Sequence, residues 1–412
     1  GSTYPNYRDK ISYEASHFTK GLTRLYLAYD SKVLIPKVRT TLSFTYIDDP
    51  LYNFWGFNGA ASPVFKALTS NKSYASQILD GTIPASDAAL FSSMGVDPLK
   101  NVSYYYTNRD IIRVLADFQG NITPHLFWAG GISYWNFRMG DINEGKYGYD
   151  AKSTLYNHYK QYGVIRDSEA KGGNRLELKA GLVYDSRDFE TAPNKGIWSE
   201  IYVNGSPDVF GDGFNYLKLS AHFRHYVRIP FGLKVGDPVF AYHLAYQGTI
   251  AGKAPFYIQQ NVTALVLKQL MSEGLGSSNT LRGTHTNRLI GDGYAWGNFE
   301  LRIKIVNFKL LKQNFYLAAN PFFDCGMIVQ PYRVHEMSAL PEIGVLALEA
   351  GYKPAETEKY IRNMAYQFIC SGGAGLKLAW NQNFILSAEV AHNFNTGIGA
   401  PFWISLGTNY CF

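Results

Sequence analysis

Apolar and polar residues alternate with a period of two along most of this chain. From Phe214 to Ile229 the apolar Leu217, Leu219, Ala221, Phe223, Val227 and Ile229 hold odd positions, while Lys218, Ser220, His222, Arg224 and Arg228 hold even ones. Leu176, Leu178, Ala180, Leu182 and Tyr184 likewise oppose Arg175, Glu177, Lys179 and Asp185. Near the end, Phe384, Leu386, Ala388 and Val390 oppose Ser387 and Glu389. Side chains of a strand point to opposite faces in turn, so this period predicts strands with one greasy and one wet face.

The pattern predicts about fourteen strands, near 9–18, 22–30, 37–47, 102–117, 121–138, 174–188, 196–206, 214–229, 238–250, 294–308, 313–328, 366–380, 383–394 and 401–412. Most exceed the five or six residues usual in soluble sheets and reach the roughly 9 to 11 a tilted strand needs to cross a bilayer. Short turns at Leu34-Ile-Pro-Lys, Gln119-Gly-Asn, Pro193-Asn-Lys-Gly, Pro230-Phe-Gly-Leu and Asn381-Gln-Asn intervene between long connections at 48–101, 139–173, 251–293 and 329–365. Short periplasmic turns and long outer loops are the pattern of outer-membrane barrels. The expected architecture is therefore a single all-β, transmembrane antiparallel β-barrel domain spanning residues 1–412. Ser86–Met94 and Thr154–Tyr162 have helical periodicity inside two of the long loops.

Composition agrees with two apolar boundaries. Among 412 residues there are 31 Tyr, 26 Phe and 7 Trp, against a charged fraction of only 17%. No run of 18 apolar residues occurs, which excludes a membrane-spanning helix. The net charge of +6 is scattered among strands and forms no nucleic-acid stripe. Cys325, Cys370 and Cys411 have no metal-ligand spacing, and imply neither a zinc site nor a disulfide framework. No signal peptide is visible at Gly1-Ser-Thr-Tyr-Pro, so a targeting segment has been removed or the sequence begins inside a longer chain. Motifs for a nucleophile elbow, a His-Glu-x-x-His zinc site and a phosphate loop are missing. We expect no catalytic residue, metal or cofactor, and read His222 and His243 as luminal or interface residues.

The stretch from Gly274 to Asp324 carries the candidate chemistry. A glycine-rich loop, Gly274-Leu-Gly-Ser-Ser-Asn-Thr-Leu281-Arg282-Gly283-Thr284, delivers one arginine, and two alternating strands follow. Strand parity puts Glu300 on a face with Arg302 and Lys304, and Asp324 on a face with Asn320 and Phe322. Both acids then face the lumen, where they could hold the Arg282 guanidinium by charge-assisted, partly bidentate bonds that lysine would not reproduce. Gly283 permits close backbone approach beside it.

These residues resemble the loop-six motif of the BamA superfamily, the bacterial surface antigen barrels that assemble or translocate outer-membrane proteins. Tyr184-Asp185-Ser-Arg187-Asp188 with Pro193 and Gly196 resembles that family's strand-and-turn signature, and Pro255-Phe-Tyr precedes the glycine-rich segment in the expected order. Phe299-Glu300-Leu and Phe322-Phe-Asp324-Cys-Gly326 resemble the two strands whose acids hold the loop arginine in that family. The match runs from about residue 174 to 412. At the end, Gly407-Thr-Asn-Tyr410-Cys-Phe412 is similar to the terminal signal read by the outer-membrane assembly machinery, with Phe402, Ile404, Leu406, Tyr410 and Phe412 expected on one face.

The resemblance implies sixteen strands, so that two precede residue 1, and most members carry periplasmic transport-associated domains further upstream. Thr284 departs from the family, which usually has an aromatic there. The implied function is insertion or translocation of proteins at the bacterial outer membrane without a cofactor. Implied partners are outer-membrane lipid and lipopolysaccharide, client outer-membrane or secreted proteins, and accessory outer-membrane or periplasmic subunits, with no nucleic acid. Two alternatives stay open, a passive pore or surface-exposed binding barrel, and a lipid-processing barrel enzyme. Arg282→Ala is expected to be more damaging than Arg288→Ala.

Overall fold

The computed structural model describes residues 8–59, 105–147, 151–152, 154–161, 164–190, 192–259, 261–263, 271–332, 365–380, 384–395, 403–408 and 410–412. Fourteen strands form one antiparallel sheet in chain order: β1 (Asp9–His17), β2 (Thr23–Ile35), β3 (Val38–Asn53), β4 (Tyr106–Asn121), β5 (Leu126–Gly140), β6 (Gly172–Asp185), β7 (Gly196–Ser206), β8 (Tyr216–Arg228) and β9 (Val239–Gly252) are followed by β12 (Gly293–Leu310), β13 (Gln313–Gln330), β14 (Ile369–Trp380), β15 (Phe384–Asn393) and β16 (Trp403–Thr408). Between β9 and β12 lies a separate two-stranded hairpin of β10 (Asn261–Thr263) and β11 (Met271–Glu273). Each strand of the large sheet pairs with its sequence neighbour in it, and β1 and β16 are its two ends. Every expected strand is present, with shifted ends.

Burial decides what kind of sheet this is. Along β8 the charged and polar face of Lys218, Ser220, His222 and Arg224 is buried, while Phe223 and Val227 on the other face are exposed. Leu178, Leu182, Ile201, Leu244, Ile305 and Leu376 are all close to half exposed or more, yet Arg109, Arg175 and Arg224 are almost wholly enclosed. A sheet in water buries its apolar face. This one does the reverse, with an apolar band outward and a polar interior, as in a transmembrane barrel. No described helix is long and apolar enough to cross a membrane.

Turn chemistry sorts the two ends of the sheet. Leu311 and Lys312 join β12 to β13, both in the left-handed region at φ 48° and 63°, the backbone of a tight primed hairpin turn. At the opposite end, among the described residues, the long connections carry four short helices: α1 (Glu144–Tyr147), α2 (Leu155–Gln161), α3 (Asp167–Ala170) and α4 (Phe256–Gln259). The helix expected over Thr154–Tyr162 is α2; the one expected over Ser86–Met94 lies outside the described residues.

These loops build an aromatic cap. Phe54, Phe57, Tyr156, Tyr159, Phe256, Tyr257, Ile290 and Tyr332 belong to one buried cluster. Phe57 stacks on Tyr332 with ring centroids 4.1 Å apart, and Phe54 meets Phe57 edge-on at 5.6 Å. Asn58, at φ 57°, fastens the edge of the cap: its N–H donates to the Ile290 carbonyl (2.7 Å), its side-chain carbonyl accepts the Tyr332 N–H (2.6 Å), and its amide donates to the Tyr332 carbonyl (3.2 Å).

Candidate functional site

Loop six folds inward between the cap and the lumen. Leu275 and Leu289 exchange backbone hydrogen bonds of 2.9 and 3.1 Å, closing the segment between them into a compact loop. At its tip the Thr280 hydroxyl accepts the Gly276 N–H (3.0 Å), and the Thr280 carbonyl accepts the Asn298 side-chain amide from β12 (2.5 Å). Leu281 is buried with Trp296, Tyr294 and Ile328. Gly283 has φ +81°, and a Cβ there would stand 3.2 Å from the Ala391 Cβ on β15. Only glycine combines that backbone with that approach.

Arg282 is fully buried and meets three carboxylates. Its Nε and Nη2 donate to the two oxygens of Asp324, both at 2.8 Å, and its backbone N–H adds a third bond to the same carboxylate at 3.1 Å. Nη1 donates to Glu300 Oε1 (2.5 Å) and to Glu389 Oε1 (3.3 Å). Underneath, the Phe322 ring centroid lies 3.5 Å from the guanidinium carbon. The planar fork is matched in plane by Asp324 and across its face by an aromatic, which a lysine ammonium cannot satisfy together.

Sequence parity brought Asp324 and Glu300 to this face but gave no reason to include Glu389, Lys377 or Asn393. Lys377 Nζ donates to Glu389 (2.7 Å), Asn320 donates to it at 3.3 Å, and Arg302 Nε donates to Glu300 Oε2 (3.2 Å). Three cations, Arg282, Arg302 and Lys377, thus balance three carboxylates, Asp324, Glu300 and Glu389. Such compensation keeps enclosed charges tolerable, and deleting one member leaves its partners exposed to the full desolvation cost. Glu389 was one of the polar residues opposing the apolar face of its strand; only pairing of β14 with β15 carries it to the arginine.

Thr284, the departure from the family pattern, is buried, and its hydroxyl accepts the Asn393 side-chain amide from β15 at 2.7 Å. The loop therefore touches β12, β13 and β15. Arg288 is no inert comparator for Arg282, because it is 1% exposed and burial pushes its guanidinium down to about 10. Folding of the loop under the cap encloses it, so its removal carries a cost of its own beside that of Arg282.

The strand-and-turn residues lie elsewhere, at the short turn between β6 and β7. Arg187 donates twice to Asp185, at 2.9 and 2.6 Å, and once to the Glu190 carbonyl at 3.0 Å. Asp188 accepts the N–H groups of Asn194 (2.9 Å) and Lys195 (3.3 Å), Pro193 occupies the same turn, and Gly196 supplies φ +110° where the chain re-enters the sheet. Trp198 lies between two guanidinium groups, Arg187 at 4.0 Å and Arg224 at 4.2 Å from its ring centroid.

One geometric expectation fails at the end of the chain. Ile404 and Leu406 are 62% and 81% exposed, but Tyr410 and Phe412 do not share their face. β16 ends at Thr408, and the last residues turn toward the interior. The Phe412 carbonyl accepts Arg302 Nη2 (2.8 Å), its ring packs beside Tyr226 and His243, and Tyr410 lies 4.0 Å from the Arg302 guanidinium. Cation–π contact and the buried arginine donor outweigh continuation of the alternation. Gly407 remains on β16 in an exposed position, and Phe402 lies outside the described residues. His222 and His243 are buried and hydrogen-bonded to each other at 3.0 Å, with rings stacked at 5.3 Å.

No curated protein matches the sequence. Solved structures similar to it include two outer-membrane proteins. BamA from Haemophilus ducreyi lacking POTRA domains 1–3 aligns over 97% of this chain and 64% of that one, with a TM-score of 0.54 at 13% identity. CdiB from Acinetobacter baumannii aligns over 98% of this chain and 53% of that one, with a TM-score of 0.48 at 11% identity. The chain thus spans less than two thirds of the length of either. Residues 130–384, more than half of the sequence, match the Omp85 superfamily domain. The resemblance drawn from loop six is borne out at the level of the family: this chain belongs to the Omp85 superfamily and is an antiparallel β-barrel protein of the Gram-negative outer membrane.

Proposed function

We propose that this barrel promotes insertion or translocation of client proteins at the outer membrane, with Arg282 acting as a latch that holds loop six inside the lumen. The observation that carries the reading is the fully buried Arg282, bonded to Asp324, Glu300 and Glu389 on three different strands. An interior so occupied suits a scaffold better than an open passive pore. No covalent chemistry is assigned to the site. Its residues are positioning groups: they keep the loop docked while a client strand pairs with an accessible strand edge, where unpaired backbone would otherwise be costly in lipid. Supporting this, β1 and β16 are the two ends of the sheet, each paired with one neighbour among the described residues.

The clients are unfolded outer-membrane or secreted proteins, which present the unpaired strands such an edge accepts. The test is reconstitution in lipid vesicles with a urea-denatured outer-membrane barrel as client. The native chain should accelerate appearance of protease-resistant client at least several-fold over empty vesicles, and Arg282→Ala should lose most of that gain. Equal rates in all three vesicle preparations would reject the assembly role. Large, steady conductance in planar bilayers together with no acceleration would establish the passive pore instead.

A further inference from the structure

We infer that Cys325 and Cys370 form a redox site on the outer face of the barrel, a thiol pair that closes into a disulfide and staples β13 to β14 beside the latch. Cysteine count and spacing suggested no such bridge, because an odd number separated by long intervals has no framework pattern. Strand register supplies what spacing lacks. Cys325 and Cys370 are directly opposed partners in the β13–β14 ladder, and their unbonded sulfurs are 2.8 Å apart. Opposed residues in an antiparallel pair have Cα atoms about 4.5 to 5.5 Å apart, within the roughly 4.4 to 6.8 Å that a disulfide bridges. The side chains already face each other, so closure requires little backbone movement.

Position explains what the bond would do. Cys325 follows Asp324 directly, so as the carboxylate points inward to Arg282 the thiol points outward. Cys370 is the second residue of β14, and its carbonyl and N–H are tied to the Phe394 N–H and the Asn395 side chain, both at 2.9 Å. The pair therefore sits at the foot of the connection between β13 and β14, next to the residue that carries the arginine. The aromatic rings of Phe323 and Phe394 stack beside it at 6.4 Å on the same outer face. A bond here closes a loop of 45 residues and holds Asp324 and Ser371, the adjacent luminal pair, in register. Cross-links across long loops stabilise chiefly by restricting the unfolded chain.

The bacterial envelope outside the inner membrane is the compartment in which disulfides persist. The oxidant is a disulfide-bearing exchange partner. One cysteine thiolate attacks a sulfur of that disulfide, forming a mixed disulfide and releasing a thiolate. The second cysteine thiolate then displaces the partner's remaining sulfur. Net, the pair loses two electrons and two protons, and the partner's disulfide is reduced to two thiols, two separate molecules when the partner is oxidised glutathione.

The full chain in isolated outer membranes tests this, with oxidised glutathione as the probe. After acid quenching and denaturation, thiols are counted with a maleimide mass tag before and after reduction. The expected result is one free thiol in the native chain and three after reduction, none before reduction in Cys411→Ser, and two in Cys325→Ser and in Cys370→Ser. Reduction should lower the thermal unfolding midpoint of the native chain by several degrees and leave that of Cys325→Ser unchanged. Heat-modifiable migration in gels establishes that the serine variants fold. Three free thiols after glutathione treatment, a bridge that includes Cys411, disulfide-linked dimers, or a midpoint unmoved by reduction would each overturn the proposal.

Discussion

Loop six is held from below by charges and from above by rings, and the two holds behave differently. Below, Arg282 has three carboxylate partners fixed by direction and distance. Above, Phe57, Tyr332, Tyr159 and Phe256 pack by shape, with Asn58 as one polar fastening. A packed aromatic cluster can lose one ring and partly collapse around the gap. A buried ion network cannot relax that way, because removing one charge leaves its partners uncompensated in a poorly solvated space. We propose that the underside specifies loop position, with the cap covering a loop already placed.

The largest break in this comparison is Arg282→Ala. It should destabilise the barrel by about 3 to 5 kcal/mol, the range for breaking a buried pair, read as a lowered temperature for loss of heat-modifiable migration. Lys253→Ala, an exposed change in the same loop, should do nothing measurable. If both variants match the native chain, the network does not anchor the loop. Next comes Phe57→Ala, whose cost of about 3 kcal/mol or more follows from removing a buried ring. It should raise protease cleavage of the outer loops while leaving Arg282-dependent barrel stability intact; parallel loss of both would mean the cap and the latch are one unit.

A smaller effect is expected from Thr284→Val, which removes the acceptor of a buried side-chain bond and leaves the Asn393 amide N–H without it, at about 1 to 3 kcal/mol. Slower hydrogen exchange or no change around β15 would argue against that contact. The smallest belongs to Glu169 in the cap, whose carboxyl burial holds above its ordinary 4.5 although it accepts the Phe256 N–H at 2.8 Å. A raised acid favours the folded cap in its neutral form. Its contribution is complete below the ordinary value and lost as pH rises through the higher folded one. Protease resistance of the cap should fall across that window in the native chain, and Glu169→Gln should flatten the profile.

Legibility followed the same division. Alternation alone located all fourteen strands, because lipid outside and polar interior inside impose opposite demands on successive residues of every strand. It also placed Glu300 and Asp324 on the arginine's side, since parity is a local property. It missed Glu389, Lys377 and Asn393, and it extended the last strand through Tyr410 and Phe412, which turn inward to Arg302. Nor did it show that Arg288 is enclosed. No local signal separates these cases, because each depends on which strand lies next to which.

The sequence by itself thus determined the fourteen strands of the large sheet, the sense of each face, the inward loop arginine and two of its acids, all consequences of a two-residue period and one glycine-rich stretch. Only the tertiary structure decided that β15 supplies a third carboxylate, that Thr284 finds a partner there, that the chain end enters the lumen and that Cys325 meets Cys370. Register between strands sets those contacts. It is written in the pairing of residues far apart along the chain, which no periodicity within one strand records.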